Sequence, residues 1–489
     1  MTISVRKLVK VTMKISLVGL VIIIILSGCG GGGSGSATSG TALNSSPAAS
    51  SGNSNTSTSP TNSNSSISSL SVPARYNWIA GNNVLATGAI TTNAPSMATL
   101  TNGNLVAIFS QQEITGTHVY TTLGNYISGN WSTPIALQGS SGTIQGINDS
   151  TGWNQPTTST VVAGNSVNGN ALAAWTTQIS NSLGYQVWIS SYNASSQVWS
   201  NAVQVGTAVQ AGLRATSSAA GGVAIAWVQA STMQSGLQAL GIYQVSSSGT
   251  VSNTTLELGV SSTTGLKMGL DNADMMFVAW AGSNQNVYLA RSGTPSWTTP
   301  VTLGMGTPAD NADIDLSVVA DGSGAVVWSG LDVSVHTAIF DSSGTVQSNQ
   351  TIVEGTTANT RPTVASLGSG KYIVAFSASS IPGPSSSVLY YTPYSTEFNP
   401  SSGWTSPIMI GSGEGGFSTV KSDQFGDALV VLNGYNREGY FLAPGSSSSW
   451  TGGIISYNAS VPAFAMDAST GHAAVLWANG NSLQSYFFR

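Results

Sequence analysis

The sequence predicts an all-β protein, a single β-propeller of four-stranded blades. Three observations predict it. A phrase made of a polar turn, an apolar strand and a closing aromatic recurs to the end of the chain, most clearly at Asp321-Gly322-Ser323-Gly324-Ala325-Val326-Val327-Trp328. The copies end at Phe109, Trp175, Trp227, Trp280, Trp328, Phe376, Leu432 and Trp477. They lie about 45 to 66 residues apart, a period suited to propeller blades and too long for leucine-rich or ankyrin units. The third observation concerns the ends. The last unit stops at Leu483-Gln484-Ser485-Tyr486-Phe487-Phe488-Arg489 without an outer strand, and an unpaired Trp phrase, Tyr76-Asn77-Trp78-Ile79, stands ahead of the first unit.

Each unit supplies four strands. A faint first strand such as Leu316-Ser317-Val318-Val319-Ala320 precedes the apolar one. An aromatic third strand follows, such as Val287-Tyr288-Leu289 or Val388-Leu389-Tyr390-Tyr391. The fourth carries Trp-Ser/Thr-x-Pro, as in Trp131-Ser132-Thr133-Pro134, Trp297-Thr298-Thr299-Pro300 and Trp404-Thr405-Ser406-Pro407. Val, Ile and aromatic runs bounded by Gly, Asn, Asp and Ser are strands. Proline suits an outer edge, where a missing N–H costs no ladder bond. A lone four-stranded sheet cannot bury both faces, and radial stacking buries them. The count is eight blades, with seven as the alternative, and the N-terminal strand completes the C-terminal blade.

Residues 1–28 read as an export signal. Arg6, Lys7, Lys10 and Lys14 stand without an acid ahead of the apolar run 15–26, which is too short to span a bilayer comfortably. The run ends in Leu26-Ser27-Gly28-Cys29, and Cys29 is the only cysteine, so no intramolecular disulfide is available. Residues 29–71 are almost entirely Gly, Ser, Thr, Asn, Ala and Pro, which cannot form a core. They read as a flexible tether with a span of roughly 35–40 Å. Residues 72–489 form the propeller domain.

Leu26-Ser27-Gly28-Cys29 resembles the lipobox of bacterial lipoproteins. The resemblance implies cleavage before Cys29 and lipidation of its thiol, hence a membrane-anchored protein of the cell envelope. Gly30, where an Asp favours inner-membrane retention, implies the outer membrane or cell surface.

Charged residues are only 6% of the chain. The net charge is −5, and without the four basic signal residues the remainder is about −9. Nucleic acid is excluded as a partner, because its binding relies on clustered Lys and Arg. Eleven of the thirteen Trp fall at repeat positions and read as packing between blades. Trp153 does not: it lies in Gly146-Ile147-Asn148-Asp149-Ser150-Thr151-Gly152-Trp153-Asn154, the insertion that stretches the first interval. Asp149, Trp153 and Asn154 are candidates to stack on a sugar ring and bond its hydroxyls, against the plainer reading of a loop covering a blade edge. Asp310, Asp313 and Asp315 are candidate calcium ligands, since Ca²⁺ takes several oxygens, against the plainer reading of a polar blade entry. Asp271, Asp321, Asp423 and Asp467, just ahead of apolar strands, read as turn residues that accept backbone N–H bonds.

No catalytic motif appears. His118, His336 and His472 are isolated, and the Asp-box of sialidase-like propellers is missing, so likeness to them stops at architecture. The expected function is that of a non-enzymatic, monomeric domain holding a glycan or protein ligand. The alternatives are a sialidase- or glycosidase-type enzyme, which needs converging arginines or acids, and a scaffold subunit of an envelope assembly.

Overall fold

Tight turns cut this chain into short strands, and the flanking sheets decide which faces those strands bury. A computed structural model describes residues 78–82, 84–85, 91–92, 95–113, 116–137, 139, 160–179, 184–210, 212–293, 296–306, 314–354, 361–380, 390–411, 417–433, 436–442, 450–457, 462–479 and 482–489. These residues form a β-propeller. Among them are eight antiparallel sheets, numbered 1 to 8 in chain order of their first strands. Sheet 3 shows the pattern: Leu213–Ser217, Val223–Ala230, Gln238–Val245 and Val251–Glu257 pair in that order. The first strands of the others are Ser96–Thr99, Thr160–Gly164, Thr263–Leu270, Ile314–Val318, Thr363–Gly368, Phe417–Ser422 and Ala463–Met466. The outer strand of sheet 8 comes from the other end of the chain: Trp78–Ala80 pairs with the third strand Ser482–Phe488, Trp78 opposite Phe488.

The first strand of each sheet packs against the first strand of the next, and the series returns from Ala463–Met466 to Ser96–Thr99. First strands therefore surround the axis. The described residues contain no α-helix, and no helix among them is long and apolar enough to cross a membrane.

Asp and Asn close the turns between first and second strands. Asp271 Oδ1 accepts the N–H groups of Ala273 and Met275, both at 2.8 Å, and Asp423 Oδ1 those of Phe425 and Asp427, both at 2.9 Å. Asp321 and Asp467 do the same for Ser323 and Ser469, also at 2.9 Å. The four recurring aspartates are turn residues, as expected of a short acceptor beside orphan backbone donors. The turns also touch. Asn165 Nδ2 donates to Gly221 O at 2.6 Å, Asn272 N to Ala320 O at 3.0 Å, and Gln424 N to Ala468 O at 2.8 Å.

Second strands are buried on both faces, which is why they read as unbroken apolar runs instead of alternating ones. Side chains alternate along them. In sheet 3, Val223, Ile225 and Trp227 pack on sheet 2, while Ala224, Ala226 and Val228 pack on sheet 4. Eight apolar clusters of this kind lie between successive sheets, one of them between sheet 8 and sheet 1. The closing residue of each repeat phrase, which lies inside a second strand that runs one to four residues further, always enters the cluster shared with the preceding sheet: Phe109, Trp175, Trp227, Trp280, Trp328, Phe376, Leu432 and Trp477. Alanines receive many of them; Trp280 of sheet 4 shares its cluster with Ala224 and Ala226 of sheet 3.

The Trp of the outer strand points the same way. Trp131 of sheet 1 donates its indole N–H to Ser485 Oγ of sheet 8 at 3.0 Å, and Trp450 of sheet 7 donates to Ser395 Oγ of sheet 6 at 2.8 Å. The Ser or Thr that follows the Trp latches the outer strand where it breaks. Ser132, Ser200, Thr298 and Thr405 hydroxyls accept the N–H of Leu123, Ser191, Arg291 and Glu397 at 2.9–3.0 Å. Pro134 and Pro407 fall in the gap between two outer segments, and Pro300 directly ahead of Val301–Met305.

Trp280→Ala empties a filled socket and should cost about 3–5 kcal/mol. Ala224→Leu overfills the same socket and should cost about 1–3 kcal/mol. Urea denaturation should show a lowered midpoint for both, and an unchanged midpoint in Ala224→Leu would refute the socket.

Candidate binding site on the ring axis

Four of the domain's few basic residues lie on or beside first strands, where the axis is. Arg214 is on Leu213–Ser217, Lys267 on Thr263–Leu270 and Lys421 on Phe417–Ser422. Arg361 stands just ahead of Thr363–Gly368 and is buried.

Register brings three charges level. Arg214 sits opposite Ala226, Lys267 opposite Ala279 and Asp315 opposite Val327, in each case the residue ahead of the closing Trp. Lys267 reaches that level through an irregularity between Thr264 and Lys267, where Gly265 takes φ +61°. Arg214 secures this break from the neighbouring sheet. Its Nε donates to Leu266 O and its Nη1 to Leu213 O, each at 2.8 Å. Burial lowers the Arg214 guanidinium to about 10.

Lys267 Nζ pairs with Asp315 Oδ1 at 3.2 Å, across sheets 4 and 5. Asp315 Oδ2 accepts the N–H of Val364, in sheet 6, at 3.0 Å. One carboxylate thus ties three sheets. Lys421 comes from sheet 7. Its side chain reaches solvent from within the ring of first strands. Burial lowers its ammonium, Asp315 opposes the change, and Lys267 adds to it. Those two lie on sheets that do not adjoin sheet 7, so the three side chains converge across the axis. Among the described residues the Lys421 ammonium makes no hydrogen bond or ion pair.

Of the residues singled out in the sequence, Cys29, Asp149, Trp153, Asn154, Asp310 and Asp313 lie outside the described residues. Asp315 is present, engaged by a lysine and a backbone N–H. Among the described residues there is no group of three metal-ligating side chains. His336 pairs with Asp332 at 2.9 Å and stacks on Trp328. Arg291 and Arg489 stand apart from the axial Arg214 and Arg361: Arg291 lies over the Phe277 ring at 5.6 Å, on a third strand, and Arg489 donates to Ile127 O beyond another. Sequence reasoning missed Lys267 and Lys421. The available signal was a lone cation inside a faint first strand, a few residues ahead of a turn.

A carboxylate pair follows Lys421 in the next turn. Burial pushes the Asp427 carboxyl up to about 6, and the nearby Asp423 charge adds to the rise. Asp423 is itself raised by burial.

No protein-family model and no curated protein matches the sequence. Solved structures do. The Dos1 propeller is similar at 12% identity and a TM-score of 0.50, over 84% of this chain and 94% of that one. The Penicillium chrysogenum α-L-arabinanase complexed with arabinobiose follows at 10% and 0.41, over 84% and 98%. The Aleuria aurantia lectin in complex with Fucα1-6GlcNAc gives 12% and 0.36, over 75% and 97%. The first of these likenesses shows the propeller fold.

The raised Asp427 gives a signed pH prediction. The folded state holds this proton more tightly than the unfolded chain, whose carboxyl titrates at its ordinary value near 3.8. The stability it contributes is present below that value and is lost as pH rises through about 6. Asp427→Asn should flatten the fall in stability over that window and raise the urea midpoint at pH 7. Parallel pH profiles for the two proteins would sink the assignment.

Proposed function

We propose that this protein is an exported, lipid-anchored lipoprotein whose propeller holds a glycan without transforming it. The reading is carried by the convergent, water-accessible charge cluster on the axis, where Asp315 is committed on both oxygens. A carboxylate engaged by an ammonium and a backbone N–H is poorly placed to move protons in hydrolysis, which needs one acid and one base or nucleophile free to act. The anchor rests on the basic segment, the short apolar run and Leu26-Ser27-Gly28-Cys29, with Gly30 favouring the outer membrane.

The detergent-purified chain should retain members of a polysaccharide panel and release no reducing sugar. Release of sugar would overturn the binding reading in favour of a glycosidase. No retention, with a stoichiometric protein captured from envelope extract, would favour the scaffold reading.

Cys29→Ser should move the chain from the membrane to the soluble fraction and abolish fatty-acid labelling. A wild-type chain that takes up no label would refute the anchor.

A further inference from the structure

We infer that the ring axis is an oxyanion site, and that the group it takes is the single negative charge, carboxylate or sulfate ester, of an acidic saccharide. The saccharide part rests on the glycan-binding reading; the oxyanion part rests on the geometry of the axis alone.

The charges on the described first strands do not balance. Arg214, Lys267 and Lys421 stand against one carboxylate, Asp315, within a chain of net charge −5. Arg214 gives its Nε and one Nη1 donor to the Leu266 and Leu213 carbonyls, which fixes its side chain against the backbone. Lys267 is held by Asp315 at 3.2 Å. Lys421 remains, with an ammonium that has three donors and no acceptor partner among the described residues. It is open to solvent on a first strand beside the axis, and burial of its surroundings disfavours its charged form. An arriving anion restores that lost solvation, and a confined, partly desolvated pair is worth more than an exposed one.

The chemistry of the donor narrows the ligand. A lysine is a point charge on a flexible stem, without the planar fork that grips two oxygens at once. One such ammonium matches one negative charge. Thr419 lies two residues ahead of Lys421 on the same strand, hence on the same face, and Ser317 lies two residues after Asp315, likewise on its face. Hydroxyls beside the charges suit a ligand that carries hydroxyls beside its own.

Isothermal titration of the full-length chain in detergent tests this with three probes: an oligogalacturonate, its neutral methyl ester and sodium sulfate. The acidic oligomer should bind, and the ester should bind about tenfold more weakly or less, as expected for loss of one charge-assisted contact. Binding of the acid should weaken as salt rises. Lys421→Met should reduce affinity for the acid to that for the ester, and Lys421→Arg should restore most of it. Sulfate should raise the urea midpoint of the wild type and of Lys421→Arg, but not of Lys421→Met. Equal binding of acid and ester, unchanged in Lys421→Met, would overturn the oxyanion site while leaving glycan binding intact. Sulfate stabilisation that depends on Lys421, with neither oligomer bound, would keep the site and overturn the saccharide. Loss of both responses would overturn both.

Discussion

Each sheet of this protein is held by a ring that belongs to its successor. The aromatic or leucine that closes each repeat phrase seats itself on the preceding sheet, and the outer-strand Trp leans the same way. The two contacts bracket a blade, one near the axis and one near the rim. Both point in one rotational sense, so no sheet has a finished core until its neighbour is in place. That shared sense makes the architecture repetitive without making the units independent. It also explains the alanines of second strands, which are the space into which the next sheet fits.

The same arrangement settles where charge is tolerable. The interfaces between sheets are apolar and closed, and a charge there would lose its water with nothing in return. The rim is solvated, and its outer strands expose apolar residues such as Val203, Val251 and Met305 among their polar ones. First strands are the exception, because one edge faces the axis and water. Charges on them can stay hydrated and still tie sheets together, as Asp315 does by joining sheets 4, 5 and 6. Arg214 and the break it secures belong to the same device, since they set Lys267 at the level of Asp315.

Much of the fold was legible because the repeat states it twice, once in the turn and once in the closing aromatic. Asp321-Gly322 and Trp328 needed no partner to be recognised, and their roles follow from local chemistry. The pairing of Trp78 with Phe488 was legible for a different reason, a strand missing at one end and spare at the other. The axial cluster was not legible. Arg214, Lys267, Asp315 and Lys421 are separated by about fifty to a hundred residues, and no local pattern relates them. Only the register of three different sheets brings Arg214, Lys267 and Asp315 level, with Lys421 two residues further along its own first strand, and the break at Gly265 shifts that register in a way no periodicity announces. Attention to acids drew Asp310, Asp313 and Asp315 together by proximity in sequence, whereas Asp315 works with lysines from elsewhere.

The strand Trp78–Ala80 lies directly after the segment read as a tether, and it is also the strand that completes sheet 8. Any mechanical load carried by that segment is therefore delivered to the seam of the ring. Trp78 resists it with a ring contact to Phe488 at 5.4 Å and a close seat on Gly439 of sheet 7. Because the strand is antiparallel to Ser482–Phe488 and enters at its far end, tension along it shears several hydrogen bonds together before any one can open alone. The same seam joins residues about four hundred positions apart, so in folding it closes after the local hairpins have formed. The joint between the two ends of the described chain therefore rests on few residues, and the indole of Trp78 acts as its rivet.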